Sequence, residues 1–295
     1  MRILVVALCA AVTATACGHD GASGPTVKAG RAAALSEAAL VAVTITSELV
    51  VIEDGRRGEA LARWPAEEKP TAISLSPDRT RAFVGIDDGE CSGRLEAVDL
   101  ATGKTTEVAT GALYPALSPD GRSVVYGRIE PVDDLCVRSG LVVRDLESGR
   151  ERLFPGRDVE GTPPGLILNW SPDGTGIAFV DSNDGPRPAQ VRVLDPDSDR
   201  ALESATVGAG PGHFAPVFAG DGQLVVERGC CTAPMALVEA DSSGPTLAAL
   251  PAPIVSVRRS VDGARLILVD ALDRLSIVEG PELSLVGQGY LAAAG

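Results

Sequence analysis

Short apolar, β-prone runs recur along this chain, and each follows a small polar turn. Arg81-Ala82-Phe83-Val84, Ser123-Val124-Val125-Tyr126, Ile177-Ala178-Phe179-Val180 and Leu266-Ile267-Leu268-Val269 have the composition of strands. A second short extended run, such as Ala72-Ile73-Ser74-Leu75 or Ile167-Leu168-Asn169-Trp170, stands before the turn. The turns themselves are variants of one tetrapeptide: Ser76-Pro77-Asp78-Arg79, Ser118-Pro119-Asp120-Gly121, Ser171-Pro172-Asp173-Gly174, Ala219-Gly220-Asp221-Gly222 and Ser260-Val261-Asp262-Gly263. Ser at the first place, Pro at the second and Gly at the fourth suit a type I turn, since Pro presets φ and Gly relieves crowding on exit. Each tetrapeptide is therefore predicted to close a hairpin.

The spacing of these turns is 42, 53, 48 and 41 residues, Asp to Asp, which suits a four-stranded propeller blade. A third strand recurs at Leu95–Leu100 and Leu141–Leu146, each leading to a turn that ends in Gly103 or Gly149, and Val191–Asp195, Ala236–Glu239 and Leu275–Val278 take the same place later. The order of Ser-Pro-Asp-Gly turn and Asp-Leu-x-x-Gly ending resembles the TolB-like propeller family, over residues 36–295. The resemblance implies an all-β propeller and, for function, a protein-binding module of the cell envelope; the repeat itself speaks for fold and not for a partner.

Five turns leave a sixth blade to be assembled from the ends. Ala39–Thr44, Leu49–Ile52 and Glu59–Trp64 read as three strands without an inner partner, and Tyr290–Ala294 follows the last repeat. Pairing that final segment with the first strands completes a blade and removes the exposed edges of an open sheet. The expectation is one domain of six four-stranded blades, closed by N- and C-terminal strands.

Composition narrows the interior and the partners. Of 295 residues 45% are hydrophobic but only 3% are Phe, Tyr or Trp, so the core must rest on Val, Leu, Ile and Ala. The net charge of −14 argues against nucleic acid, whose phosphates call for clustered Lys and Arg. No stretch after the first sixteen residues has the length of apolar chain that a membrane helix needs.

The first residues read as an address. Met1-Arg2, the apolar run Ile3–Val12 and the small residues Thr13–Ala16 form a secretory signal, residues 1–16. Ala16-Cys17 resembles the lipobox of bacterial lipoproteins, which implies a lipid on Cys17 and anchoring of the protein outside the cytoplasm; plain secretion is the alternative, because Ala14 stands where Leu is favoured. Residues 17–35, rich in Gly and small polar residues, then form a tether.

Four further cysteines, Cys91, Cys136, Cys230 and Cys231, fall between the second and third strands of their repeats and are expected on one face, in an oxidising compartment. Cys91 with Cys136 is the favoured pair, leaving Cys230 and Cys231 as a vicinal disulfide; the bonds either staple loops or, for the strained vicinal pair, provide a redox or ligand-contacting element. His213 is the sole histidine beyond the tether, so a zinc site is not expected. Gly208–Gly212 before it lacks a following helix and reads as a link between blades, not a phosphate loop. Asp195–Asp199 departs from a calcium loop at Arg200 and Thr206 and reads as a hairpin turn. Asp87, Asp88, Asp133 and Asp134 are expected at solvated loop tips, which would make the cysteine-bearing face acidic and open to a cationic partner.

No catalytic constellation and no cofactor motif emerges. The leading expectation is a monomeric, non-catalytic envelope protein that binds an unidentified protein partner through its longer loops, at 85–94, 128–140, 181–190 and 227–235. An enzyme such as a lactonase would need carboxylate, Asn or His side chains at the starts of the inner strands, which read Thr71-Ala72, Tyr114-Pro115, Leu168-Asn169, His213-Phe214 and Val255-Ser256. A small-molecule or glycan sensor would use Asn169, Trp170, His213 and Tyr114 at the channel mouth.

Overall fold

The computed structural model describes residues 35–89, 91–132, 135–159, 167–181, 190–198, 205–206, 214–219, 222–228, 235–239, 246–280 and 282–295. Residues 1–34, with the signal, Cys17 and the tether, lie outside them. Among the described residues there is no helix; there are six four-stranded antiparallel sheets.

The first three strands are β1 (Leu40–Thr44), β2 (Glu48–Glu53) and β3 (Arg56–Arg63). The next sheet holds β4 (Lys69–Leu75), β5 (Arg81–Asp87), β6 (Arg94–Asp99) and β7 (Thr105–Thr110), and the one after it β8 (Ala112–Leu117), β9 (Ser123–Val132), β10 (Leu135–Asp145) and β11 (Glu151–Val159). Then come β12 (Asn169–Trp170), β13 (Ile177–Asp181), β14 (Gln190–Leu194) and β15 (Ala205–Thr206). The fifth sheet is β16 (Phe214–Phe218), β17 (Leu224–Arg228), β18 (Met235–Glu239) and β19 (Thr246–Leu250), and the sixth β20 (Ile254–Arg259), β21 (Leu266–Asp270), β22 (Arg274–Glu279) and β23 (Glu282–Gln288). The last strand, β24 (Tyr290–Ala294), returns to the first sheet as its inner strand, in the order β24-β1-β2-β3. Its register sets Val41 opposite Ala294, Ala42 opposite Ala293 and Val43 opposite Ala292.

The strands are apolar on both faces because each sheet is packed on both sides. In β1 the side chains alternate between two cores: Val41 and Val43 join Ile73, Val84 and Val98 of the second sheet, whereas Leu40 and Ala42 join Ile267, Val269 and Leu275 of the sixth. The other four apolar clusters lie between the second and third, third and fourth, fourth and fifth, and fifth and sixth sheets. Six interfaces for six sheets make a closed ring, so the architecture is a β-propeller.

The recurring turn has a common chemistry. Ser76 Oγ donates to Asp78 Oδ1 at 2.6 Å and accepts the Arg81 amide at 2.9 Å, and the Asp carboxylate accepts the Thr80 amide. Ser118 with Asp120, Ser171 with Asp173 and Ser260 with Asp262 repeat the pattern. The fourth residue needs φ above zero, and Gly121, Gly174, Gly222 and Gly263 supply it at 71°, 74°, 85° and 77°. Arg79 adopts φ 56° in the first turn, where its guanidinium donates to the Ser36 carbonyl and so ties the entering chain to the ring.

One expectation is modified: residues 128–140 form less of a loop than expected, because β9 and β10 extend as a hairpin to Val132 and Leu135. Cys136 therefore sits in β10, opposite Pro131.

Candidate functional site

The axis is occupied by a side chain that the strand starts do not reveal. Arg258, in the inner strand β20, is 5% exposed. Its Nε donates to the Ile73 carbonyl, Nη1 to the carbonyls of Leu168 and Val257, and Nη2 to that of Pro115, each at 3.0 Å. Nη1 also reaches Asn169 Oδ1 at 3.4 Å, and Asn169 Nδ2 donates to Pro216 O at 2.9 Å and to Val257 O at 3.3 Å. Two side chains thus tie five inner strands or their lead-ins together around the axis.

The inner strands are shaped to present those oxygens. Register shifts between Leu113 and Ala116 and between Phe214 and Val217 take Tyr114-Pro115 and Ala215-Pro216 out of the ladder, with φ of 57° at Tyr114 and 56° at Ala215. Their proline carbonyls are free to accept from the axis. Gly85 permits the close approach of the neighbouring sheet, since a Cβ there would lie 2.7 Å from Pro115 Cδ and 2.8 Å from Thr71 Oγ1.

Arg258 faces only neutral oxygens. Burial pushes its pKa down to about 10, and no acidic side chain among the described residues compensates it. Beside it on the face of the Ser-Pro-Asp-Gly turns opens an axial pocket of about 130 Å³, lined by Ser74, Asn169, Trp170, Arg258, Arg259 and Gly295 among others. A larger cleft of about 780 Å³ lies between the third and fourth sheets on the same face, with Asp120, Asp145, Asp173 and Trp170 in its wall. Trp170 is half-buried, and its indole N–H is spent on the Ala116 carbonyl at 2.9 Å.

The turn carboxylates are firmly ionised. The Ser171 hydroxyl, with the Thr175 amide and hydroxyl, holds Asp173 down to about 2, and the partner serines lower Asp78, Asp120 and Asp262. Burial opposes the charge on Glu151, yet hydrogen bonds from Tyr126, Arg128 and Arg144 keep its pKa below the ordinary value. Burial, and then the hydrogen bond donated to Glu151, push Tyr126 up to about 12. None of these groups is poised to exchange a proton near neutral pH.

The opposite face carries the connections between second and third strands. Asp87 accepts the Gly89 amide and Asp88 accepts from the Ser92 amide and hydroxyl, so both half-buried carboxylates build the loop instead of projecting freely. Cys91, at φ 62°, is disulfide-bonded. The side chain of Cys136 and all of Asp133, Asp134, His213, Cys230 and Cys231 lie outside the described residues. Asp195 accepts the Asp197 amide in a tight turn after β14. Among the described residues no group of three or more His, Cys, Asp or Glu is placed to hold a metal ion.

Three large apolar side chains are exposed on that loop face at the seam of the ring: Ile45 at 55%, Val255 at 50% and Leu272 at 52%. The segments that carry them are tied by backbone bonds, from the Ile45 amide to Gly289 O, from the Gly289 amide to Asp273 O, and from the Ala271 amide to Pro253 O.

No protein-family model and no curated protein matches the chain. Solved structures do. TolB from Acinetobacter baumannii superposes with a TM-score of 0.62 at 16% identity over 87% of this chain and 65% of that protein. A putative TolB from Agrobacterium tumefaciens gives 0.56 at 18% identity, over 85% of this chain and 90% of that one. An oligogalacturonate lyase in complex with manganese gives 0.53 at 14% identity, over 84% of this chain and 73% of the lyase. The chain thus spans just under two thirds of the Acinetobacter protein, and at these identities the likeness is one of fold, the β-propeller of the TolB structures.

Proposed function

We propose that this chain is an exported, non-catalytic binding propeller of the cell envelope, held to the membrane through a lipid on Cys17, which engages a protein partner with its loop face. The observation that carries the reading is the exposed Ile45, Val255 and Leu272 group, joined across the seam of an otherwise well-packed ring. Large apolar side chains exposed on one face of a rigid scaffold are a feature of protein-binding surfaces. The buried guanidinium of Arg258 argues in the same direction. A divalent cation at the axis would meet an uncompensated positive charge, which disfavours the metal-centred enzyme as the alternative. The likeness to the manganese-bound lyase is confined to fold.

In this reading the Cys91 disulfide closes on Cys136 in the adjacent blade and steadies the loop face, and the protein acts as a monomer. Photo-crosslinking in intact cells tests it. A crosslinker at Leu272 should retrieve one defined envelope protein that the same group at Leu285, on the outer strand β23, does not. Equal retrieval from both positions, or turnover of a lactone or glycan by the purified chain, would contradict it.

A further inference from the structure

The cleft of about 780 Å³ between the third and fourth sheets takes no part in the loop-face reading and can be judged without it. Two neighbouring turns stand apart there. A Cβ on Gly121 would lie 3.0 Å from Pro77 Cδ of the preceding turn, whereas one on Gly174 would lie 3.9 Å from Pro119 Cδ. Two struts hold the walls at that spacing. The Trp170 indole N–H donates to Ala116 O at 2.9 Å on the axial side, and Arg152 Nη1 donates to Pro196 O at 2.7 Å on the outer side.

The walls join an apolar surface to unspent charge. Pro119, Pro172 and Trp170 line the cleft, and with its N–H committed the half-buried indole offers only its ring. Asp120, Asp145 and Asp173 spend Oδ1 inside their own turns, on Ser118, Ser148 and Ser171, and these bonds keep all three ionised. Among the described residues their Oδ2 atoms and the Asp197 carboxylate take up no hydrogen bond or ion pair. Arg150 and Arg152 are the lining cations, and the lining Glu151 is committed to Tyr126, Arg128 and Arg144, so four carboxylates with unspent oxygens face two guanidinium groups. These carboxylates are dispersed, since no three among the described residues are placed to share a metal ion. An occupant that uses them together must be extended and carry more than one positive group.

We infer that this cleft docks an extended segment of a partner protein that carries Lys or Arg side chains. Its cationic groups pair with the free oxygens of Asp120, Asp145 and Asp173, and one of them stacks on the Trp170 ring. The volume suits several residues of extended chain. The excess of negative charge in the walls works against an anionic segment.

Trp170 reports on the cleft, because the other tryptophan, Trp64, is 7% exposed and donates to Glu96 in a different seam. The intact protein is titrated with a blocked Gly-Arg-Gly-Arg-Gly peptide, with its glutamate counterpart and with spermidine, and tryptophan fluorescence is followed. The arginine peptide is expected to give a saturable change that weakens as salt rises, and the glutamate peptide none. Asp145→Asn, which keeps Oδ1 for Ser148, and Asp197→Asn, both checked for folding by circular dichroism, should each raise Kd about fivefold, the upper range for a partly exposed charge pair. Asp99→Asn alters the matching turn carboxylate of the second sheet, outside the cleft, and should leave Kd unchanged. An Asp99 variant that weakens binding as much as Asp145→Asn would reduce the effect to the overall charge of the protein and overturn the inference, as would binding that neither cleft variant alters. Spermidine bound as tightly as the arginine peptide would overturn the assignment to a protein segment.

Discussion

Arg258 and Asn169 meet at the axis of the ring, Nη1 to Oδ1 at 3.4 Å, and both also donate to backbone carbonyls of other blades. The acceptors come from Ile73, Pro115, Leu168, Pro216 and Val257. A side chain of another size would leave several of these oxygens buried and unpaired.

Replacing Arg258 with Met should therefore destabilise the protein even though it removes a buried charge. Each orphaned carbonyl costs about 1–3 kcal/mol, and three of the four lose their only donor on the axis, so a net loss of about 3 kcal/mol is expected after the relief of desolvation. Asn169→Ala should cost about 2 kcal/mol, and the double variant more than the sum, because Val257 O keeps one donor in each single variant and loses both only in the double. Urea unfolding of the three variants measures this.

Acid should weaken the turns. The folded pKa values of Asp78, Asp120, Asp173 and Asp262 lie below the ordinary aspartate value of 3.8, so their stabilisation is complete above about pH 4 and is lost as pH falls through the folded values, toward about 2 for Asp173. The melting temperature should fall steeply between about pH 4 and pH 2. Asp173→Asn should flatten that dependence and leave the region above pH 5 parallel to the parent.

Gly85 is a packing requirement and Gly55 is not. A methyl group at Gly85 would meet Pro115, Thr71 and the Tyr114 amide within 3.0 Å, so Gly85→Ala should cost about 2–3 kcal/mol through displacement of the neighbouring inner strand. At Gly55, φ 69° with open space around it, Ala should cost only about 1 kcal/mol of backbone strain. Thermal unfolding of the two variants separates the cases.

Cys17→Ser should move the protein from the membrane fraction to the soluble extracytoplasmic fraction while leaving its fold intact. Peptide mapping without reduction should recover a Cys91–Cys136 linked pair; a Cys91 peptide joined to Cys230 or Cys231 would reassign the staple.

The turns and the ring closure were legible in the sequence because each is local or countable. Ser-Pro-Asp-Gly carries its own hydrogen bonds, as Ser118 and Asp120 do, and three N-terminal strands without an inner partner pointed to Tyr290–Ala294. The axial hub was not, because its contacts span separations of up to 185 residues. A signal did exist in the repeat. Two places before the first residue of each turn stand Ser74, Ala116, Asn169, Val217 and Arg258, a column in which Ser74, Asn169 and Arg258 are polar yet buried. The strand starts, Thr71 or Tyr114, say nothing of it. Asp87 and Asp88 stand in the exposed loop that the sequence suggests, where they also accept the Gly89 and Ser92 amides, a local Asx-type pairing that the sequence alone does not specify.

Hydrogen exchange of the backbone amides tests the closed ring most directly. If β24 completes the first sheet, the amides of Ala292 and Ala294 should exchange as slowly as those of β5 in the middle of the second sheet, through global unfolding alone. Exchange of β24 at the rate of an unpaired surface segment, while β5 stays protected, would contradict the account.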